Sequence, residues 1–201
     1  MSTTPTTELE AVNIMLASIG ESPVSSLDDA QLVDVSIAKS ILDETSRALQ
    51  SQGLHCNTEH EYPIVPDTDG QLNVPSNCVK IDTSGSTSDI DVVQRGTRLY
   101  DRKKFSFTTF DGTYYVDMVL LLDFSDLPEH VKRYITVKSA RRFQGRFMGS
   151  DTLGGFSEKD ESEAMVYFEQ CEAQTEDNNM LLDNYDVSKI IIRGAPRRAV
   201  R

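Results

Sequence analysis

The stretch Leu120–Gly149, LLLDFSDLPEHVKRYITVKSARRFQGRFMG, decides the fold. It begins as an apolar run of strand character, turns at FSDLP and continues as a long helix. Pro128 suits a first helical turn, where a missing N–H costs nothing, and Asp126 and Glu129 suit the positive end of the helix dipole. Val131, Tyr134, Ile135 and Val137 cover one side of the first half; Ala140, Phe143 and Phe147 cover another side of the second. A surface helix keeps one apolar stripe, so a helix this apolar on several faces is expected to be packed by several neighbours. Lys138, Arg142 and Arg146 stack on one face at i, i+4, i+8. That row is expected to pair with acids of the same chain's fourth helix or to form an intersubunit face; phosphate binding is the other reading.

Upstream, from about residue 55, the pattern has period two and comes in short pieces. Strands are expected at 61–65, 71–74, 79–82, 90–95, 97–101, 105–107 and 114–122, separated by turn pairs such as Asp69-Gly70, Arg95-Gly96 and Asp111-Gly112. Short strands with short turns predict a small antiparallel sheet or partial barrel. The last piece starts by alternating and ends continuously apolar, as a central strand covered on both faces would.

Two helices precede this region. Thr7 can cap a helix from Glu8 to about Ile19, with Leu9, Val12, Leu16 and Ile19 as its stripe and Gly20 as its stop. Asp28 or Asp29 can cap a second, running to Gln52 and closed by Gly53. Its stripe is Val33, Ile37, Ala38, Ile41, Leu42, Thr45, Ala48 and Leu49, with Lys39, Asp43, Arg47 and Gln50 opposite. After the opening stretch, Ser157 with Asp160 resembles a capping box for a fourth helix reaching about Asp177. Ala164, Phe168, Cys171 and Thr175 form its stripe. Glu158, Glu161, Glu169, Glu172 and Glu176 gather on another face, which needs water or a cationic partner.

These elements predict an α+β fold: a bundle of about four helices, two N-terminal and two C-terminal, with a small antiparallel β domain inserted. Residues 1–54 and 125–186 are expected to make the helical domain, 55–124 the insert, and 187–201 a basic C-terminal arm.

The 201 residues are 38% hydrophobic and 26% charged, which suits a globular chain with a core. Three scattered cysteines argue against a disulfide scaffold. No apolar run approaches the roughly 20 residues needed to span a bilayer, so no membrane partner is expected. The N-terminus lacks the basic-then-apolar pattern of a signal peptide. Net charge is −12; the arm holds five cations (Lys189, Arg193, Arg197, Arg198, Arg201) and no acid, which leaves the first 188 residues at −17. Such a body repels nucleic acid. Lys189, Ile190, Ile191, Ile192, Arg193, Arg197 and Arg198 are expected to bind another surface; a frayed, solubilising terminus is the plainer reading.

Catalytic signals are sparse. There is no phosphate loop, nucleophile elbow or HExxH, and no cofactor is expected. His55, Cys56, His60 and Cys78 lack metal-site spacing and read as loop histidines and core thiols. Carboxylates are plentiful enough that a glycosidase-like pair would arise by chance. Asp117, inside an apolar strand, is the one to inspect: burial would raise its pKa, while the polar face of the strand would leave it in water.

ELEAVNIMLASIGESPVSSLDDA (8–30), SQG (51–53), LYDR (99–102) and DLPEHVKRYITVKSARRFQGRFMG (126–149) resemble the tail tubular protein A family, the head-to-tail adaptors or gatekeepers of short-tailed bacteriophages. The resemblance is carried mostly by the helical blocks and is loose over 56–98. It implies a virion tail component assembled in the host cytoplasm as a ring of twelve copies. That ring joins the capsid portal protein to the tail nozzle protein, and double-stranded DNA passes through it without specific binding. It implies no catalytic, cofactor or metal residue. Two other classes stand beside it: a tail-associated glycan hydrolase using an Asp/Glu pair, and a basic-helix nucleic-acid binder.

Overall fold

A computed structural model describes residues 4–27, 33–148 and 158–175. Four α-helices and five strands lie among them: α1 (Glu8–Ser18), α2 (Val33–Gln50), β1 (Thr58–Ile64), β2 (Cys78–Thr83), β3 (Val92–Arg95), β4 (Arg98–Asp101), β5 (Tyr114–Leu120), α3 (Glu129–Met148) and α4 (Glu158–Thr175). The fold is α+β, and every strand pairing is antiparallel.

Helix α1 starts as its sequence requires. The Thr7 hydroxyl accepts the Glu10 N–H at 3.2 Å, and the Glu10 carboxylate accepts the Thr7 N–H at 2.9 Å. This reciprocal cap satisfies two donors that the helix cannot. Ala11, Val12, Met15 and Leu16 are buried, while Leu9 and Ile19 are only partly so. The apolar face is therefore turned from the expected stripe, because α1 packs on both α2 and α3. The proposed caps of α2 and α4 fall outside the described residues.

Helix α3 is the centre of the bundle and touches α1, α2 and α4. Val131, Tyr134, Ile135, Val137, Ala140 and Phe143 are all buried. The surplus of apolar faces thus finds its cover inside one chain. Neighbouring subunits are not needed to explain it. These residues share one cluster with Ile41, Leu42 and Leu49 of α2 and Ala164 and Phe168 of α4.

The β region has a second cluster built on Leu72, Val74, Leu99, Phe110, Val116 and Met118. Strand β5 is central in a three-stranded sheet of order β1-β5-β2, and β3 and β4 form a separate hairpin. The expected strands at 71–74 and 105–107 reduce to single bridges, Asn73 with Arg98 and Asp101 with Ser106. Leu72 and Val74 still reach the core, and the Leu72 carbonyl accepts the Leu99 N–H at 3.0 Å. Burial holds them without a continuous ladder. β5 is also not covered on both faces throughout. Tyr114, Val116 and Met118 point into the core and Val119 is buried at the far end, but Tyr115 is exposed and Asp117 half-exposed on the outer face.

Gln50 and Asn57 join the two regions. Gln50, expected on the polar face of α2, is 2% exposed. Its side chain exchanges two hydrogen bonds with the Leu122 backbone. Asn57 Nδ2 donates to the Gln50 carbonyl at 3.0 Å and to the Leu120 carbonyl at 2.7 Å. A buried polar group must be paired, and these two pair where β5 ends and the long helix is about to begin. No described helix is long and apolar enough to cross a membrane.

Candidate functional site

The two arginines of the cation row on α3 face α2. Arg142 donates to Glu44 at 2.6 Å and to the Thr45 hydroxyl at 3.0 Å; Arg146 reaches the other Glu44 oxygen at 3.5 Å. The Arg142 guanidinium holds the Glu44 carboxyl below its ordinary value. Lys138 donates to the Tyr134 hydroxyl at 3.2 Å. The expectation that this row pairs with the acidic fourth helix is corrected for its arginines, whose acid is Glu44 of α2.

The fourth helix does pair with α3, but through other residues. Glu161 binds Arg141. Glu172 accepts from both sides: its Oε1 lies 2.8 Å from His130 Nε2, and its Oε2 accepts the His55 N–H at 3.0 Å. The Phe168 ring stacks on Tyr134, centroids 5.1 Å apart and planes 15° from parallel. The expected acidic face therefore splits. Glu161 and Glu172 turn toward the body, Glu158 and Glu169 are exposed, and Glu176 lies outside the described residues. So do all residues of the arm: Lys189, Ile190, Ile191, Ile192, Arg193, Arg197 and Arg198. Cys171 is partly buried and Thr175 exposed, so the stripe of α4 reaches the core through Ala164 and Phe168.

A concave groove of about 700 Å³ lies where the outer face of the sheet meets the end of α2, lined by Gly53, His55, His60, Lys80, Asp82 and Asp117. Asp82 and Asp117 are cross-strand partners, so the groove carries the carboxylate pair a hydrolase would need. Their environments do not suit that chemistry. The pairing of β1 with β5 shifts register between Glu59 and Tyr62, and Glu61 within that bulge has φ 49°. Asp117 Oδ1 accepts the Glu61 N–H at 2.8 Å, and His60 Nδ1 stands 3.7 Å from the other oxygen. Burial is the largest single influence on this carboxyl and works upward. The Glu61 N–H, the nearby Ser84 hydroxyl and His60 work downward and together prevail. Asp117 is thus held below its ordinary value, opposite to the expected rise and to what a glycosidase acid requires. The other carboxylate, Asp82, accepts its neighbour's N–H, that of Thr83, at 2.9 Å.

The four residues considered for a metal separate. Cys78 is buried in the β core, and Cys56 packs against the helical core. Burial pushes both thiols up, with the Glu172 charge adding to the effect at Cys56. Among the described residues no three His, Cys, Asp or Glu side chains gather where they could hold a metal ion.

One cluster escaped the reading of the sequence. Arg95, Arg98, Arg102, Lys103 and Lys104 fall within ten residues, interleaved with Tyr100, Phe105 and Phe107. The density of cations in RGTRLYDRKKF was the available signal.

The family model of the tail tubular proteins matches residues 9–178, from α1 through the β region and beyond α4. The chain belongs to the tail tubular protein family. It is also 32% identical over 145 residues to Tail tubular protein A of Klebsiella phage KP34, covering 72% of this chain and 75% of that protein. As a tail tubular protein it is a structural component of a bacteriophage virion, located in the tail.

Proposed function

We propose that this tail tubular protein is one subunit of an adaptor ring that joins the capsid portal to the tail nozzle and lines part of the channel through which the genome leaves. The observation that carries this reading is the extent of the family match, which runs over residues 9–178, through both helical ends and the β region between them. Twelve copies, the portal protein and the nozzle protein are the partners this reading names, with assembly in the host cytoplasm. Charge supports it. The first 188 residues carry −17, and a ring of such bodies lets double-stranded DNA pass without gripping it.

Residues 1–54 and 125–186 act in this reading as a helical domain that builds the ring, with 55–124 as a β domain set into it. The separate apolar clusters support that division. The basic arm, 187–201, with Lys189, Ile190, Ile191, Ile192, Arg193, Arg197 and Arg198, binds the portal or a neighbour; its cations seek the acidic surfaces that copies of this chain provide. Arg142 and Arg146 keep exposed surface beside their Glu44 contacts, and with Lys138 they can face Glu158, Glu169 and Glu176 of an adjoining copy, while Glu161 and Glu172 are already engaged within the chain.

Electron microscopy of tails carrying a tagged chain tests the reading. A tagged ring between portal and nozzle is expected. Tag density at the distal tip, away from the portal, would overturn it.

A further inference from the structure

Phe105 is the most exposed large apolar residue among those described, at 78%, and its backbone sits at φ 55°. A bulky side chain seldom adopts that conformation, so the surroundings must enforce it. They do so with a dense brace. Buried Asp101 accepts the N–H groups of Lys103 and Lys104 on Oδ1 at 2.8 and 2.9 Å, and its own N–H reaches the Ser106 carbonyl at 2.9 Å. Lys103 Nζ donates to the Asp89 carbonyl at 2.5 Å and Lys104 Nζ to the Thr109 carbonyl at 3.4 Å. Arg102 pairs with Asp91 at 3.5 Å. The loop holds an apolar ring out in water, in a strained conformation, and surrounds it with positive charge.

A surface of cations and aromatics could also track a nucleic acid, but the faces that would stack on bases are taken. Arg95 lies 3.7 Å over the Tyr100 ring, Arg98 lies 4.8 Å over Phe107, and the two rings meet edge-on at 4.9 Å. What remains free is a single projecting ring, the shape of an anchor for an apolar socket. A cationic collar selects a socket with an acid at its edge, here Glu10. The chain itself offers one: a cleft of about 500 Å³ on α1, lined by Thr4, Thr6, Glu10, Asn13, Ile14 and Ala17, with Ile14 39% exposed in its wall.

We propose that Phe105 of one copy seats in the α1 cleft of the next, with Lys103 and Lys104 facing Glu10. Knob and socket are different surfaces, so the contact is head-to-tail and repeats around a closed ring. The inference rests on the ring reading above and supplies a contact for it.

A photoreactive phenylalanine analogue at position 105, in chains assembled into tails, tests it. Adducts to residues 4–17 of a second copy are expected. Adducts elsewhere on this chain, on another virion protein, or on nothing would overturn it, while images of the same tails report separately whether a ring is present. Phe105→Gly adds a second readout. It relieves the positive φ, so the free subunit should melt no lower than wild type, yet its incorporation into tails should fall about tenfold or more. Unchanged incorporation would also overturn the proposal.

Discussion

Gln50 and Leu122 are joined by a closed pair of hydrogen bonds: Gln50 Nε2 donates to the Leu122 carbonyl at 3.1 Å, and Gln50 Oε1 accepts the Leu122 N–H at 2.8 Å. A side chain here does what a neighbouring strand would do for the end of β5. Gln50→Leu keeps the volume but strands both Leu122 groups, and an unpaired buried polar group costs about 1–3 kcal/mol. Denaturant unfolding should show a loss of roughly 2–4 kcal/mol for the two groups together.

Asp117 and the bulge at Glu61 give a pH signature. The Asp117 carboxyl sits below its ordinary 3.8 in the folded chain, so the unfolded chain takes up its proton more readily. Its contribution is complete above about pH 4 and is lost as pH falls through the lower folded value. The side chain is 44% exposed, so solvent screens the effect. Asp117→Asn should lower stability at pH 7 by about 1 kcal/mol or less, and the gap to wild type should narrow below about pH 4.

Phe168 is the principal apolar residue that seats α4. Its stack on Tyr134 and its burial are lost in Phe168→Ala, a change that costs about 3–5 kcal/mol in a full core. The expected sign of a local effect is faster amide exchange across α4, with α1 and α2 far less changed.

Two glycines at helix ends separate strain from crowding. Gly20 and Gly53 both have φ near +85°, at 84° and 85°. A Cβ on Gly20 would meet nothing, whereas one on Gly53 would stand 3.3 Å from both Thr58 Oγ1 and Val119 Cγ2. Gly20→Ala should cost about 1 kcal/mol by backbone strain alone, and Gly53→Ala more. Thermal unfolding of the two variants side by side reads the difference.

Much of this fold was legible in the sequence because period and punctuation agree. Thr7, Gly20 and Gly53 mark helix ends by local chemistry, and β5 announces itself as central by its apolar run. Positions that depend on distant partners were not legible. Gln50 has the sequence context of a surface residue and is buried only because β5 ends against it. Arg142 could have met any of many acids, and which one depends on how α3 is turned against α2. The Phe105 loop was missed for the same reason, since its shape depends on buried Asp101 and on carbonyls from two other loop segments. The function was legible only through resemblance, as the residues that carry it make no chemical motif.

The central claim is that this chain builds a ring on the portal. Mass photometry of the purified protein with and without portal protein tests it most directly. The account predicts a portal complex heavier than the portal alone by twelve chains of 22.5 kDa each. A portal of unchanged mass at saturating chain, or one gaining a single copy, would contradict it.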